Sequence, residues 1–149
     1  MIDQYMQLAI KEAYSGIKKG HGGPFGAVIV KDGKVIAKAH NQVVFQHDPT
    51  CHGEMLAIRR ASKKLQTFDL SGCIIYTTGE PCPMCLGAIL WANISFVYYG
   101  CNVDDTQIIG FRDKKFYEFK KDSFMKELNR QEVLKLYKEY RDTQDKTSY

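Results

Sequence analysis

The sequence predicts a three-layer α/β/α domain, in which a mixed sheet begins with an N-terminal antiparallel hairpin and continues with parallel strands. Three observations predict it. The elements follow the order helix, hairpin, helix, strand, helix, strand. The strands are almost continuously apolar, so the sheet needs cover on both faces. Helices alternate with the later strands, and right-handed crossovers join such strands as parallel neighbours.

Taken in order, Asp3 is placed to cap a first helix, whose apolar positions Tyr5, Leu8, Ala9 and Ala13 keep helical spacing to about Ile17. Gly20, Gly22 and Gly23 end it. Residues 24–30 and 34–37 read as strands around Asp32-Gly33, a favoured two-residue hairpin turn. A polar loop from His40 leads to Asp48-Pro49, read as the cap and first turn of a helix carrying Met55, Ile58, Ala61 and Leu65 on one side. Residues 73–78 and 94–99 read as strands, with a helix between them that places Leu86, Ile89 and Leu90 on one face. After Asn102 the pattern weakens, until Asn129 and Glu132 make a capping-box-like start to a last helix with Val133, Leu134, Tyr137 and Tyr140. One domain spanning 1–149 is expected, a length that buries a core without disulfide staples.

Composition narrows the function classes. Hydrophobic residues are 44% and charged residues 26%, the balance of a globular protein, and no apolar run approaches membrane-spanning length. The N-terminus enters a helical pattern directly and lacks the parts of a secretion signal, so a cytoplasmic protein with no membrane partner is expected. A net charge of +4 identifies no partner. The five cysteines are an odd number and two of them sit three apart, which points to a metal or to catalysis before disulfides.

The chemistry concentrates in His52-Gly53-Glu54 and Pro81-Cys82-Pro83-Met84-Cys85. Cys82 and Cys85 fall on one face of a helix's first turn, where free backbone N–H groups and the helix dipole favour thiolates. With His52 at the start of the preceding helix, two helix N-termini bring one nitrogen and two sulfurs to one ion. That donor set suits Zn2+, and three protein ligands leave the fourth tetrahedral position to water, as in a catalytic site. Two thiolates cancel the formal charge of the ion, so a nearby base is needed, and Glu54 stands two residues from the histidine to carry protons. A histidine-x-glutamate followed by proline-cysteine-x-x-cysteine is the pattern of zinc nucleobase deaminases. His21, His40 and His47 have no partner at ligand spacing and read as loop or capping residues. Cys51 reads as a packing residue, and Cys73 and Cys101 as strand residues.

Together with Gly22-Gly23-Pro24-Phe25-Gly26-Ala27-Val28-Ile29-Val30, Asn41, Asp48-Pro49-Thr50 and Glu80-Pro81-Cys82-Pro83-Met84-Cys85-Leu86-Gly87-Ala88, these motifs resemble the cytidine-deaminase-like superfamily and, within it, bacterial guanine deaminases. The resemblance implies that superfamily's α/β/α fold and a small-molecule nucleobase as substrate, with guanine converted to xanthine and ammonia. It implies that Asn41 hydrogen-bonds the purine, that Phe25, Trp91 and the His52 imidazole enclose its faces, and that Asp113 reads the base edge. A carboxylate there can accept the two adjacent donors of guanine together. The resemblance further implies a homodimer that exchanges its C-terminal segments, here about 129–149, so that the terminal Tyr149 closes the partner's site.

Gly53 departs from the alanine common in guanine deaminases; cytosine deaminases often carry glycine there, so cytosine stays open as a substrate. A transfer-RNA adenosine deaminase shares Pro81-Cys82-x-Met84-Cys85-x-Gly87-Ala88. From Phe111 to Tyr149, however, 11 Lys plus Arg interleave with 8 Asp plus Glu, a solvated surface more than a grip on phosphates, so nucleic acid is not the expected partner. A non-enzymatic alternative is a structural zinc module with Cys51, Cys73 or Cys101 as fourth ligand.

Overall fold

The computed structural model describes all 149 residues. It contains two compact units, Met1–Tyr117 and Glu118–Tyr149. In the first, α1 (Gln4–Lys18) starts where Asp3 Oδ1 accepts the backbone N–H groups of Tyr5 and Met6 at 2.8 and 3.0 Å. Strands β1 (Gly26–Lys31) and β2 (Lys34–His40) pair as a hairpin, and both Asp32 and Gly33 take the left-handed backbone its two-residue turn demands. The remaining elements of this unit are α2 (Val43–Gln46), α3 (Gly53–Leu65), β3 (Cys73–Gly79), α4 (Pro83–Trp91), β4 (Phe96–Cys101), α5 (Val103–Ile108) and α6 (Asp113–Tyr117).

The sheet has four strands in the order β2-β1-β3-β4. β1 is antiparallel to β2 and β3, with Ala27 opposite both Ala39 and Thr77, and β3 is parallel to β4. Alternation along β1 divides the core in two. Ala27 and Ile29 pack with Leu56, Ala57 and Ala61 of α3 and Ile89 of α4, while Val28 and Val30 pack under Ala9 of α1. This is the expected layered arrangement, and it places α3 and α4 side by side on one face. α1 lies so close to β1 that a Cβ on Gly26 would stand 2.0 Å from the Ala9 carbonyl oxygen.

Local differences from the sequence expectation have physical causes. Asp48 does not cap a helix; its carboxylate accepts the backbone N–H and the hydroxyl of Thr50 at 2.8 and 2.7 Å, closing a turn two residues on. The helix therefore starts later, with His52 itself as N-cap. β4 lies two residues further along than expected and its Phe96, Tyr98 and Tyr99 are exposed, because it is an edge strand where the helical cover ends. The short α2, α5 and α6 were not expected; α5 carries a capping box between Asn102 and Asp105.

In the second unit, α7 (Arg130–Asp142) follows Asn129, whose left-handed backbone makes no side-chain cap, since a capping side chain needs an extended one. No residue of this unit is buried.

Candidate active site

Two helix starts build the site. His52 precedes the first residue of α3, Cys82 precedes the first residue of α4, and Cys85 completes the first turn of α4 behind Pro83. Pro83 costs nothing at that position, where its missing N–H would have no partner. His52 Nδ1 lies 3.6 Å from Cys82 Sγ and 3.5 Å from Cys85 Sγ. A tetrahedral zinc, with bonds of about 2.0–2.1 Å to nitrogen and about 2.3 Å to sulfur, would set such atoms about 3.6 Å apart. Both cysteines are buried.

The protonation chemistry of the donor set fits a cation equally well. The neighbouring Cys85 thiol, and then His52, pull the Cys82 thiol down to about 4 against the opposing effect of burial. The hydrogen bond with Cys82, together with burial, drives Cys85 the other way. The hydrogen bond to the Cys82 sulfur raises His52 more than burial lowers it. Two buried sulfurs that cannot both ionise among themselves need a divalent ion to hold both as thiolates.

Glu54, two residues into the same turn, is buried, and burial is the main cause that pushes its carboxyl up. The other walls converge from distant parts of the chain. Thr78 on β3 accepts the N–H of Gly26 at 3.1 Å and donates to the Pro24 carbonyl at 3.0 Å, fixing the loop that carries Phe25. Phe25 meets the Phe111 ring edge-on, with centroids 4.8 Å apart. Asn41 Oδ1 accepts the backbone N–H of Val43 at 3.0 Å, so its amide NH2 is the group left to donate. Asp113 opens α6, and burial, then the Cys82 thiolate, raise its carboxyl.

These side chains surround one cavity of 590 Å³, lined by Phe25, Asn41, His52, Glu54, Cys82 and Asp113 among others. Cys85 is buried behind it. Trp91 does not line the cavity: it is the last residue of α4 and 68% exposed, at the opposite end from the ligands, about 9 Å along the axis from Cys85 and about 13 Å from Cys82 for a helix rising 1.5 Å per residue. Tyr149 belongs to the second unit and is exposed. The sequence reading missed Val43, Val44, Phe111, Arg112 and Phe116, all of which line the cavity. Phe111 and Arg112 could have been found as neighbours of Asp113. Val43 and Val44 sit in a helix of four residues, too short to show a period. None of the remaining cysteines joins the ligand cluster: Cys51 and Cys73 are buried elsewhere and Cys101 is exposed.

The model of the cytidine and deoxycytidylate deaminase zinc-binding region matches residues 1–101. The chain belongs to this deaminase family. It is thus a zinc-dependent hydrolytic deaminase, with His52, Cys82 and Cys85 as the donor set the fold brings together. Among relatives, it is 47% identical to the guanine deaminase of Bacillus subtilis over 116 residues, covering 78% of this chain and 74% of that one. It is 44% identical to the transfer-RNA-specific adenosine deaminase of Aquifex aeolicus over 97 residues, covering 65% of this chain and 64% of the other. The X-ray structure of the Bacillus subtilis guanine deaminase superposes with a TM-score of 0.92 at 38% identity, over 99% of both chains.

Proposed function

We propose that this deaminase hydrolyses guanine to xanthine and ammonia. The observation that carries the choice of base is the extent of the structural match: a guanine deaminase structure is matched over 99% of both chains with a TM-score of 0.92, whereas a structure from a study of tRNA:A34 deaminases is matched over 66% of this chain and 75% of that one with a TM-score of 0.64. Asp113 supplies the physical reason. Its carboxylate lines the same cavity as His52 and Glu54 and can accept the ring N–H and the amino group of guanine as a pair.

When bound, zinc held by His52, Cys82 and Cys85 supplies Lewis-acid activation of water. The chain's own residues do the rest. Phe25 and the His52 imidazole enclose the faces of the base, and Asn41 donates its amide to a ring acceptor. Glu54 takes one proton from the attacking water and gives it to the ring nitrogen; as the C2–amino bond breaks and the C2 carbonyl forms, it takes the second proton from the C2 hydroxyl and gives it to the amino group, which leaves as ammonia. A buried carboxyl pushed upward is suited to both directions of transfer. Backbone N–H groups at the start of α4 can bind the developing negative oxygen.

We further propose one functional deaminase domain over 1–149, a cytoplasmic homodimer in purine catabolism, in which segments of about 129–149 are exchanged and Tyr149 closes the partner's site. An amphipathic α7 with Val133, Leu134 and Tyr137 exposed supports a partner for that segment. The structure has no helix long and apolar enough to cross a membrane.

Ammonia release by the zinc-loaded protein from guanine, guanosine, cytosine and adenine, with an anticodon stem-loop alongside, tests the reading. Turnover of guanine alone supports it; turnover of the RNA or of cytosine would keep the deaminase and discard guanine.

A further inference from the structure

One group of titratable side chains lies outside the metal cluster and is built into the fold. Glu12 stands on α1, His21 between α1 and β1, and His40 at the end of β2. His40 Nδ1 is 2.9 Å from Glu12 Oε2, and His40 Nε2 is 2.8 Å from His21 Nδ1. His40 is buried, and the His21 ring stacks on two neighbours, with centroids 5.1 Å from the His40 ring and 4.4 Å from Phe45.

Three links run from this group to the base cavity. The His21 carbonyl accepts the backbone N–H groups of Val44 and Phe45 at 3.0 and 3.1 Å, holding α2, whose Val43 and Val44 line the cavity. Asn41, also in the lining, directly follows His40. Gly22, directly following His21, presses on that asparagine so closely that a Cβ there would stand 2.1 Å from Asn41 Oδ1.

We infer that Glu12, His40 and His21 form a hydrogen-bonded relay of positioning residues that holds Asn41 and α2 in the arrangement that binds the base. The inference rests on the reading of the cavity as a guanine site. With both imidazoles neutral, donor and acceptor chemistry gives the relay one direction. A carboxylate only accepts, so Glu12 takes the Nδ1–H of His40; the Nε2 of that neutral ring accepts, and His21 donates from Nδ1. Two protonated imidazoles would set two N–H groups face to face at 2.8 Å and break the link.

The titratable groups facing His21 are His40, across the 2.8 Å contact, and Lys19 at the end of α1; from α2 it meets the uncharged Phe45 ring. Burial, then His40 and Lys19, hold the His21 imidazole below its ordinary value, so the closed relay favours neutral His21. The sign follows. As pH falls below the ordinary imidazole value of about 6.5, the opened form gains a proton more readily than the closed one, and the wall loosens.

The test is steady-state guanine deamination with zinc content measured on every protein, using wild type, His21→Phe, Glu12→Gln and Glu12→Leu. His21→Phe keeps a ring for stacking and loses the N–H. The expected result is a KM for guanine raised about threefold to tenfold, as for one lost hydrogen bond, with kcat within about twofold and zinc unchanged. Wild-type KM should also rise below pH about 6.5, and His21→Phe should lose that acid limb. Glu12→Gln, whose amide oxygen still accepts from His40, should stay near wild type, and Glu12→Leu should resemble His21→Phe. A wild-type KM and acid limb in His21→Phe would overturn the relay, as would loss of zinc and kcat together with KM. A wild type inert on guanine would instead remove the functional reading beneath it.

Discussion

The Tyr117 hydroxyl donates to the Pro81 carbonyl at 2.5 Å, tying the end of α6 to the residue before the ligand Cys82. One bond thereby couples the helix that carries Asp113 and Phe116 to the loop that presents the metal donors. Tyr117→Phe removes only that donor. The expected outcome is a fall of about threefold to tenfold in kcat/KM with zinc retained, read by steady-state kinetics and metal analysis.

Glu54→Gln keeps the size and burial of the side chain but cannot shuttle protons. Zinc binding should persist while kcat drops by about 10²–10⁴-fold, the usual contribution of a positioned acid/base. Near wild-type turnover would mean that another group carries the proton.

Removal of zinc by a chelator, or Cys85→Ala, should abolish turnover and lower the melting temperature. A ligand that binds only the folded state stabilises it by about 2.7 kcal/mol at a free concentration a hundred times Kd. Calorimetry with and without added zinc checks the sign: no rise on adding the ion to apo protein would deny these donors a tight site.

Truncation of Thr147-Ser148-Tyr149 should cost activity and leave zinc content intact, because the last residues belong to a unit with no buried residue and their loss exposes no core. Full activity in the truncated protein would discard the closing role proposed for Tyr149.

Gly26→Ala tests the packing of α1 on β1 rather than the chemistry. A Cβ at 2.0 Å from the Ala9 carbonyl oxygen has only backbone to displace, so destabilisation at or beyond the ~1–3 kcal/mol typical of overpacking is expected in chemical unfolding.

By itself, the sequence determined the order of the longer elements, the hairpin turn, the grouping of His52, Cys82 and Cys85, and the place of Glu54 beside them. Each is written in local chemistry: a period of two or 3.6, an Asp-Gly pair, cysteines three apart, a glutamate two beyond a histidine. Tertiary structure decided what has no local signal. It set His52 rather than Asp48 at the helix start, because the Asp48 carboxylate found its partner in Thr50. It turned Trp91 outward by ending α4 away from the ligands, and supplied Phe111, Phe116, Val43 and Val44 as walls from segments too short to be periodic. It joined His21 and His40, 19 residues apart, into one chain of hydrogen bonds. Such contacts are made between elements, and their partners are chosen by how the layers pack rather than by spacing along the chain.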